Sequence, residues 1–267
     1  NKGWLQDYAL FMALKVHYDY CPWTMWKDEH KDVERARKQS KPFDKECGFW
    51  KWLQFEFFSQ WQALKKYAKS KGVVIIGDMP IYVAHDSMDV WQAPNQFLLD
   101  EKYNPTVVAG VPPDAFSADG QLWGNPIYNY TAMAKNNYSF FVKRFERLSQ
   151  LFDILRIDHF IAFSRYWSIP ANSNTAKNGK WVKGSGDAIL KQITTKVPVE
   201  IIAEDLGILT DDVIALKNKY NLPGLKVMQF AFDSDEDNIY QPHNYEKNCV
   251  AYIGTHDNDT FMGLLNN

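Results

Sequence analysis

The chain has 267 residues, 46% of them hydrophobic, with 30 Lys and Arg against 32 Asp and Glu for a formal net charge of −2. That hydrophobic share excludes a disordered chain, and the even charge balance gives no electrostatic reason to expect nucleic acid or an anionic membrane as partner. No run of 18 apolar residues and no basic-then-apolar leader occurs, so neither a membrane span nor an export signal is expected and the cytoplasm is the default location.

The chain opens within a helical period and without a starting Met: Trp4, Tyr8, Phe11 and Met12 follow a three-and-four spacing through Lys15, as expected of an excised piece. After a polar stretch, residues 27–45, a second amphipathic helix is predicted, with Trp50, Leu53, Phe57, Trp61, Leu64 and Ala68 as a core-facing stripe. Lys71-Gly72 stops it, and Val73–Asp78 reads as a buried parallel strand with an acid at its end. A long insertion rich in Pro, Gly and Asn follows, at about 79–138, and a smaller one covers about 170–186. Further strands are predicted at Ile154–Asp158, Val199–Glu204, Lys226–Phe230 and Val250–Gly254, separated by helical patterns at Asp187–Lys196 and Thr210–Tyr220. In the last of these, Thr210 stands as N-cap before Asp211 and Asp212. Strands alternating with helices predict an α/β fold with a parallel sheet. Cys21, Cys47 and Cys249 lack CxxC spacing and read as reduced packing residues. Aromatic residues make up 15% of the chain, including ten Trp, a hint of platforms for sugar rings.

Four predicted strands end in or just before acids: Asp78, Asp158, Glu204 and Asp257. A single strand-end Asp is most often a cap or turn former, but four on one rim suggest hydrolysis or group transfer. Arg156 and Asp158 are two apart in a strand and share a face, and a guanidinium there lowers a carboxyl pKa by roughly 1 to 3 units. Asp158 is then either an ionised nucleophile or half of an ordinary salt bridge. Glu204 follows the apolar run Ile201, Ile202, Ala203, a setting that raises a carboxyl pKa and suits a general acid. Asp205 points to the other face and is expected to cap the turn at Gly207. The six His are scattered without HxH or HExxH spacing, so no metal site is expected. GxSxG, Walker A and GxGxxG patterns are absent from the sequence.

The runs at 76–91 (IGDMPIYVAHDSMDVW), 110–128 (GVPPDAFSADGQLWGNPIY), 155–160 (LRIDHF), 202–207 (IAEDLG) and 254–260 (GTHDNDT) resemble glycoside hydrolase family 77 in order and spacing. The opening WLQDYALFMALK, the stretch around QWQAL and the run VMQFAF are also similar to that family, and the resemblance covers nearly the whole chain. It implies an incomplete (β/α)8 TIM barrel with loop insertions at the C-terminal face of the strands, lacking the first barrel strands and the last. Its implied activity is transfer of α-1,4-glucan segments to an acceptor sugar by retaining double displacement, without a cofactor. α-1,4-Glucans and malto-oligosaccharides are the implied partners. The implied roles are Asp158 as nucleophile, Glu204 as acid/base and Asp257 as transition-state stabiliser. Arg156 and His256 surround them, Asp78 is substrate-proximal, and Asp114, Gln121, Trp123 and Asn125 belong to a glucan-binding loop in which Trp123 stacks on a sugar ring. His85, Asp86 and Asp89 are explained as well by local turn bonding. Two departures stand out: Ile161-Ala162 where many members have Arg-Gly, and Ala115 where many have Tyr. An amylase-like hydrolase and a non-catalytic glucan-binding remnant are the alternatives.

Overall fold

A strand forms where its backbone finds a neighbour to pair with, and in this chain five short segments find parallel neighbours. The computed structural model describes residues 3–114, 117–207, 209–232 and 237–266. It divides into two units, one of residues 75–81, 141–165 and 183–267, the other of residues 1–74, 82–140 and 166–182. Among the described residues no helix is long and apolar enough to cross a membrane.

The first unit carries β1 (Ile76–Pro80), β4 (Ile154–Asp158) and β7 (Glu200–Ala203) in one parallel sheet, in the order β1-β4-β7. β8 (Gly224–Val227) and β9 (Cys249–Tyr252) form a parallel pair, and the Ala203 amide donates to the Pro223 carbonyl at 2.9 Å, tying β7 to the start of β8. Helices alternate with these strands, as predicted, at Gly186–Lys196 and Asp211–Lys219. Each buries an apolar stripe, Ile189, Leu190 and Ile193 in one and Val213 and Leu216 in the other. Thr210 stands at the N-cap position but makes no side-chain cap bond.

All five predicted parallel strands exist, Ile154–Asp158 with the expected limits and the other four with shifted ones. Val73 and Val74 are exposed and unpaired with β4, whose ladder starts at Ile76 opposite Ile154, so Asp78 lies mid-strand rather than at its end. The fourth strand starts at Gly224, and Met228–Ala231 is a 3-10 turn.

In the other unit the helix Gly3–His17 forms as predicted and buries Ala9, Leu10, Phe11, Ala13 and Leu14. The helix Asp44–Ser70 also forms, but its predicted core stripe is only partly covered: Trp50, Leu53, Trp61 and Ala68 are half-buried, Phe57 and Leu64 are exposed, and Cys47 is the one buried residue of the helix. Periodicity reports that a helix is two-faced, not that a partner lies against it; contact with the first helix runs along a narrow strip that includes the edge-on Tyr8–Trp50 pair. The two insertions are more regular than their composition suggests. β3 (Gln121–Pro126), β2 (Val107–Val111), β5 (Arg165–Pro170) and β6 (Lys180–Lys183) make a four-stranded sheet in that order, β2 antiparallel to both neighbours. Val108, Ile169 and Ala176 form its buried core.

Candidate active site

The register of the parallel sheet decides which side chains meet. Asp78 lies opposite Arg156 and Pro80 opposite Asp158, while Arg156 lies opposite Ile202 and Ile157 opposite Ala203. Paired residues of parallel strands, and residues two apart, share a face. Asp78, Arg156, Asp158 and Glu204, which stands two beyond Ile202, are therefore carried to the same side. The other side packs Leu155, Ile157, Ala203 and Met79 into the core.

Arg156 is the hub of this group. Its Nη1 donates to Asp78 Oδ1 at 2.7 Å and to Asp158 Oδ1 at 3.2 Å. Burial works against the guanidinium charge, and the hydrogen bond and charge of Asp78, with the charges of Glu204 and Asp158, raise its pKa nonetheless. Burial corrects an expectation: Asp158 is not held below the usual carboxylate range. Burial pushes its carboxyl up, Arg156 opposes the rise, and the charges of Asp78 and Asp257 add to it.

Glu204 behaves as its apolar approach suggests. It is 8% exposed, and its carboxyl is pushed up to about 7. Burial is the main cause and the charge of Asp158 a smaller one, set against the amides of Leu206 and His159 and the charge of Arg156. Those amides are specific: Leu206 N–H donates to Oε1 at 3.0 Å and His159 N–H to Oε2 at 2.6 Å. The backbone of Glu204 is fixed as well, its amide on the Ile157 carbonyl at 3.0 Å and its carbonyl accepting from Phe160 N–H at 2.9 Å. His159 adopts a left-handed φ of 53°, and burial of its ring pushes the imidazole down to about 4, leaving it neutral near pH 7. Ile161 and Ala162, one of the departures noted in the sequence, are buried at the start of the short helix Ile161–Ser164.

Asp257 and His256 follow β9 and are both exposed, with His256 Nε2 3.5 Å from Asp257 Oδ2. Their turn is pinned by Asn258 Oδ1, which accepts from the Thr255 amide and hydroxyl, both at 2.9 Å.

The remaining expected residues form their own group on the β2–β3 hairpin of the other unit. Asp114 Oδ1 accepts from Ser117 N–H at 2.8 Å. Trp123 is 38% exposed and donates through Nε1 to Gln121 Oε1 at 2.9 Å. Asn125 donates to the Val83 carbonyl at 3.0 Å. Ala115 lies outside the described residues. His85 and Asp86 bond to residues distant in sequence rather than within a local turn: His85 Nε2 bonds the Tyr103 carbonyl at 2.7 Å, and Asp86 accepts from Lys15 Nζ at 2.6 Å and Trp23 N–H at 3.1 Å.

Asp205 corrects a further expectation. It does not cap the turn at Gly207; it is 3% exposed and accepts from Lys217 Nζ at 2.9 Å and Leu225 N–H at 2.7 Å. The one sequence signal for this pair is Lys217 itself, a cation standing beside Val213 and Leu216 on the apolar stripe of its helix.

The arrangement sets a buried carboxyl with a raised pKa beside a carboxylate bonded to arginine, a pair that proton transfer and nucleophilic attack can use. The family model described as 4-alpha-glucanotransferase, glycoside hydrolase family 77, matches residues 1–267. A 4-alpha-glucanotransferase of Clostridium butyricum is 50% identical over 267 residues, covering 98% of this chain and 55% of that one. One of Thermus thermophilus is 48% identical over 265 residues, covering 97% of this chain and 53% of the relative. Among solved structures, an amylomaltase from Streptococcus agalactiae in complex with acarbose superposes with a TM-score of 0.94 at 39% identity, over 100% of this chain and 55% of its own. The chain thus spans about half the length of the curated relatives it matches.

Proposed function

The chain belongs to the 4-alpha-glucanotransferase family, glycoside hydrolase family 77, and from that premise we propose that the whole protein transfers α-1,4-glucan segments to the 4-hydroxyl of an acceptor glucose or glucan. Asp158 attacks the anomeric carbon while protonated Glu204 gives its proton to the departing reducing-end fragment; deprotonated Glu204 then takes the proton of the acceptor hydroxyl, whose oxygen attacks the anomeric carbon and releases the Asp158 carboxylate. Such chemistry wants the two carboxyl groups roughly 5 to 5.5 Å apart, too close for an intervening water. Asp257 stabilises the positive charge that develops on the sugar, and Arg156, His256 and Asp78 hold charge and hydroxyls around it. Asp114, Gln121, Trp123 and Asn125 contact the glucan. No cofactor takes part, and the protein acts in the cytoplasm on malto-oligosaccharides.

The observation that carries this reading is Glu204, buried and pushed up to about 7. A group that must donate a proton in one step and accept one in the next works best with a pKa near the working pH. In the fold of the whole protein, β1, β4, β7, β8 and β9 are successive strands of a (β/α)8 barrel, with the segments 79–138 and 170–186 inserted at the C-terminal face of the strands. Acids at that end of barrel strands are where such enzymes keep their chemistry.

Maltotriose given to the whole protein tests the activity. Transfer produces glucose and longer oligosaccharides with the number of reducing ends unchanged. One new reducing end per bond cut would replace this reading with an amylase-like hydrolase, and binding without turnover would leave a glucan-binding remnant.

A further inference from the structure

We propose that the buried Asp205–Lys217 pair is a positioning device for Glu204, fixing the peptide that holds the acid/base carboxyl; the proposal rests on Glu204 being that acid/base. Asp205 follows Glu204 in the chain but turns away from the carboxylate group around Arg156. Both of its oxygens are engaged: Oδ1 accepts from Leu225 N–H on β8 at 2.7 Å, and Oδ2 from Lys217 Nζ at 2.9 Å. Both side chains are almost fully buried, at 2% and 4% exposure. The fit is close on the strand side as well, since a Cβ at Gly224 would stand 2.4 Å from Asp205 Oδ2.

The mechanical link runs through one peptide group. The N–H that reaches Glu204 Oε1 at 3.0 Å belongs to Leu206, and its direction is set by the backbone dihedrals of Asp205. Glu204 is tied to β4 and its following turn by the Ile157 carbonyl and the Phe160 amide. Asp205 ties the next residue to β8 and to the helix Asp211–Lys219. The two anchors pull on opposite sides of the Glu204–Leu206 segment, so the Leu206 amide cannot swing away from Oε1. Stability alone gives little reason for such a pair, because a buried ion pair is costly to desolvate and apolar replacements are often neutral or stabilising. Both Asp205 oxygens face donors, so an amide in its place would turn its own NH2 toward Leu225 or Lys217.

The test uses the leaving group. Proton donation matters for a malto-oligosaccharide, whose leaving group is a sugar alkoxide, and matters little for α-maltosyl fluoride. In the whole protein Asp205→Asn should lose about tenfold or more in kcat/KM, which reports the leaving-group step alone, on maltotriose and less than about threefold on the fluoride. Lys217→Met should show the same imbalance, more weakly, because Leu225 still holds Asp205. Equal losses on both donors, or no loss on either, would overturn the proposal; if Asp205→Asn does not fold, the ratio for Lys217→Met decides it in the same way. Glu204→Gln run alongside separates the two layers. If its kcat/KM falls equally on both donors, the acid assignment fails; if it is selective while the Asp205 and Lys217 variants are not, the positioning role fails.

Discussion

The backbone amide of His159 lies 2.6 Å from Glu204 Oε2, so the residue that follows the proposed nucleophile in the chain directly holds the proposed acid/base. The bond is made at a residue with φ of 53°, a conformation costing roughly 1 to 2 kcal/mol for an ordinary side chain and worst for a β-branched one. His159→Val should therefore lower the thermal midpoint and slow turnover, whereas His159→Asn, which tolerates this region, should be the milder change. Melting curves and transfer rates of the two variants check this; identical behaviour would show that the backbone conformation is not what His159 supplies.

Asp158→Asn is expected to abolish turnover and leave glucan affinity largely intact. An amide cannot form the glycosyl ester, yet it retains the shape of the carboxylate and one acceptor for Arg156. Calorimetric titration with maltotriose beside a rate assay makes the comparison, and near-normal turnover would remove Asp158 from the nucleophile's role.

Glu204 also imposes a pH dependence on stability. Its folded-state pKa of about 7 lies above the ordinary glutamate value of 4.5, so the folded protein binds the extra proton between those values and loses stability as pH rises through them. The loss amounts to roughly 3 kcal/mol, complete above about pH 7. Glu204→Gln removes it. Denaturation midpoints of the variant should gain on the parent from pH 4 to pH 8, and a constant difference across that range would contradict the assignment.

Arg156 is predicted to control the acid limb of the rate profile. Asp158 must be ionised to attack, and its carboxyl is already pushed up by burial, with Arg156 the main opposing influence. Arg156→Met should push it further and move the acid limb of kcat/KM to higher pH by about one unit or more. Arg156→Lys, which keeps the charge, should move it less. A limb unmoved in both variants would separate Arg156 from the ionisation that governs the rate.

Transfer should outrun hydrolysis, since the whole protein must keep water from the glycosyl intermediate while an acceptor sugar binds in line. Trp123, partly exposed on the β2–β3 hairpin, offers a ring face for stacking. Trp123→Ala should lower transfer more than hydrolysis, read as the ratio of new oligosaccharide to new reducing ends from maltotriose. An unchanged ratio would leave Trp123 without a part in acceptor binding.

Five parallel strands, the helices between them and the acids at or near their ends were legible in the sequence, because short β-branched runs and three-and-four spacing are local signals. The motif runs placed the same acids in a family. The sequence by itself also indicated that Glu204 sits in apolar surroundings, since the residues before it in its own strand supply them. Tertiary structure alone decided where the ladders begin: Val73 and Val74 have the composition of a strand but no partner in β4. It decided that segments of loop-like composition pair into a sheet across more than forty residues, as Val108 does with Ile169. It also decided the direction of the Asp158 shift and the burial of Asp205 against Lys217. Each of these depends on groups distant in sequence. Pairing energy, desolvation and the division of one guanidinium between two carboxylates are sums over neighbours that only the folded chain assembles.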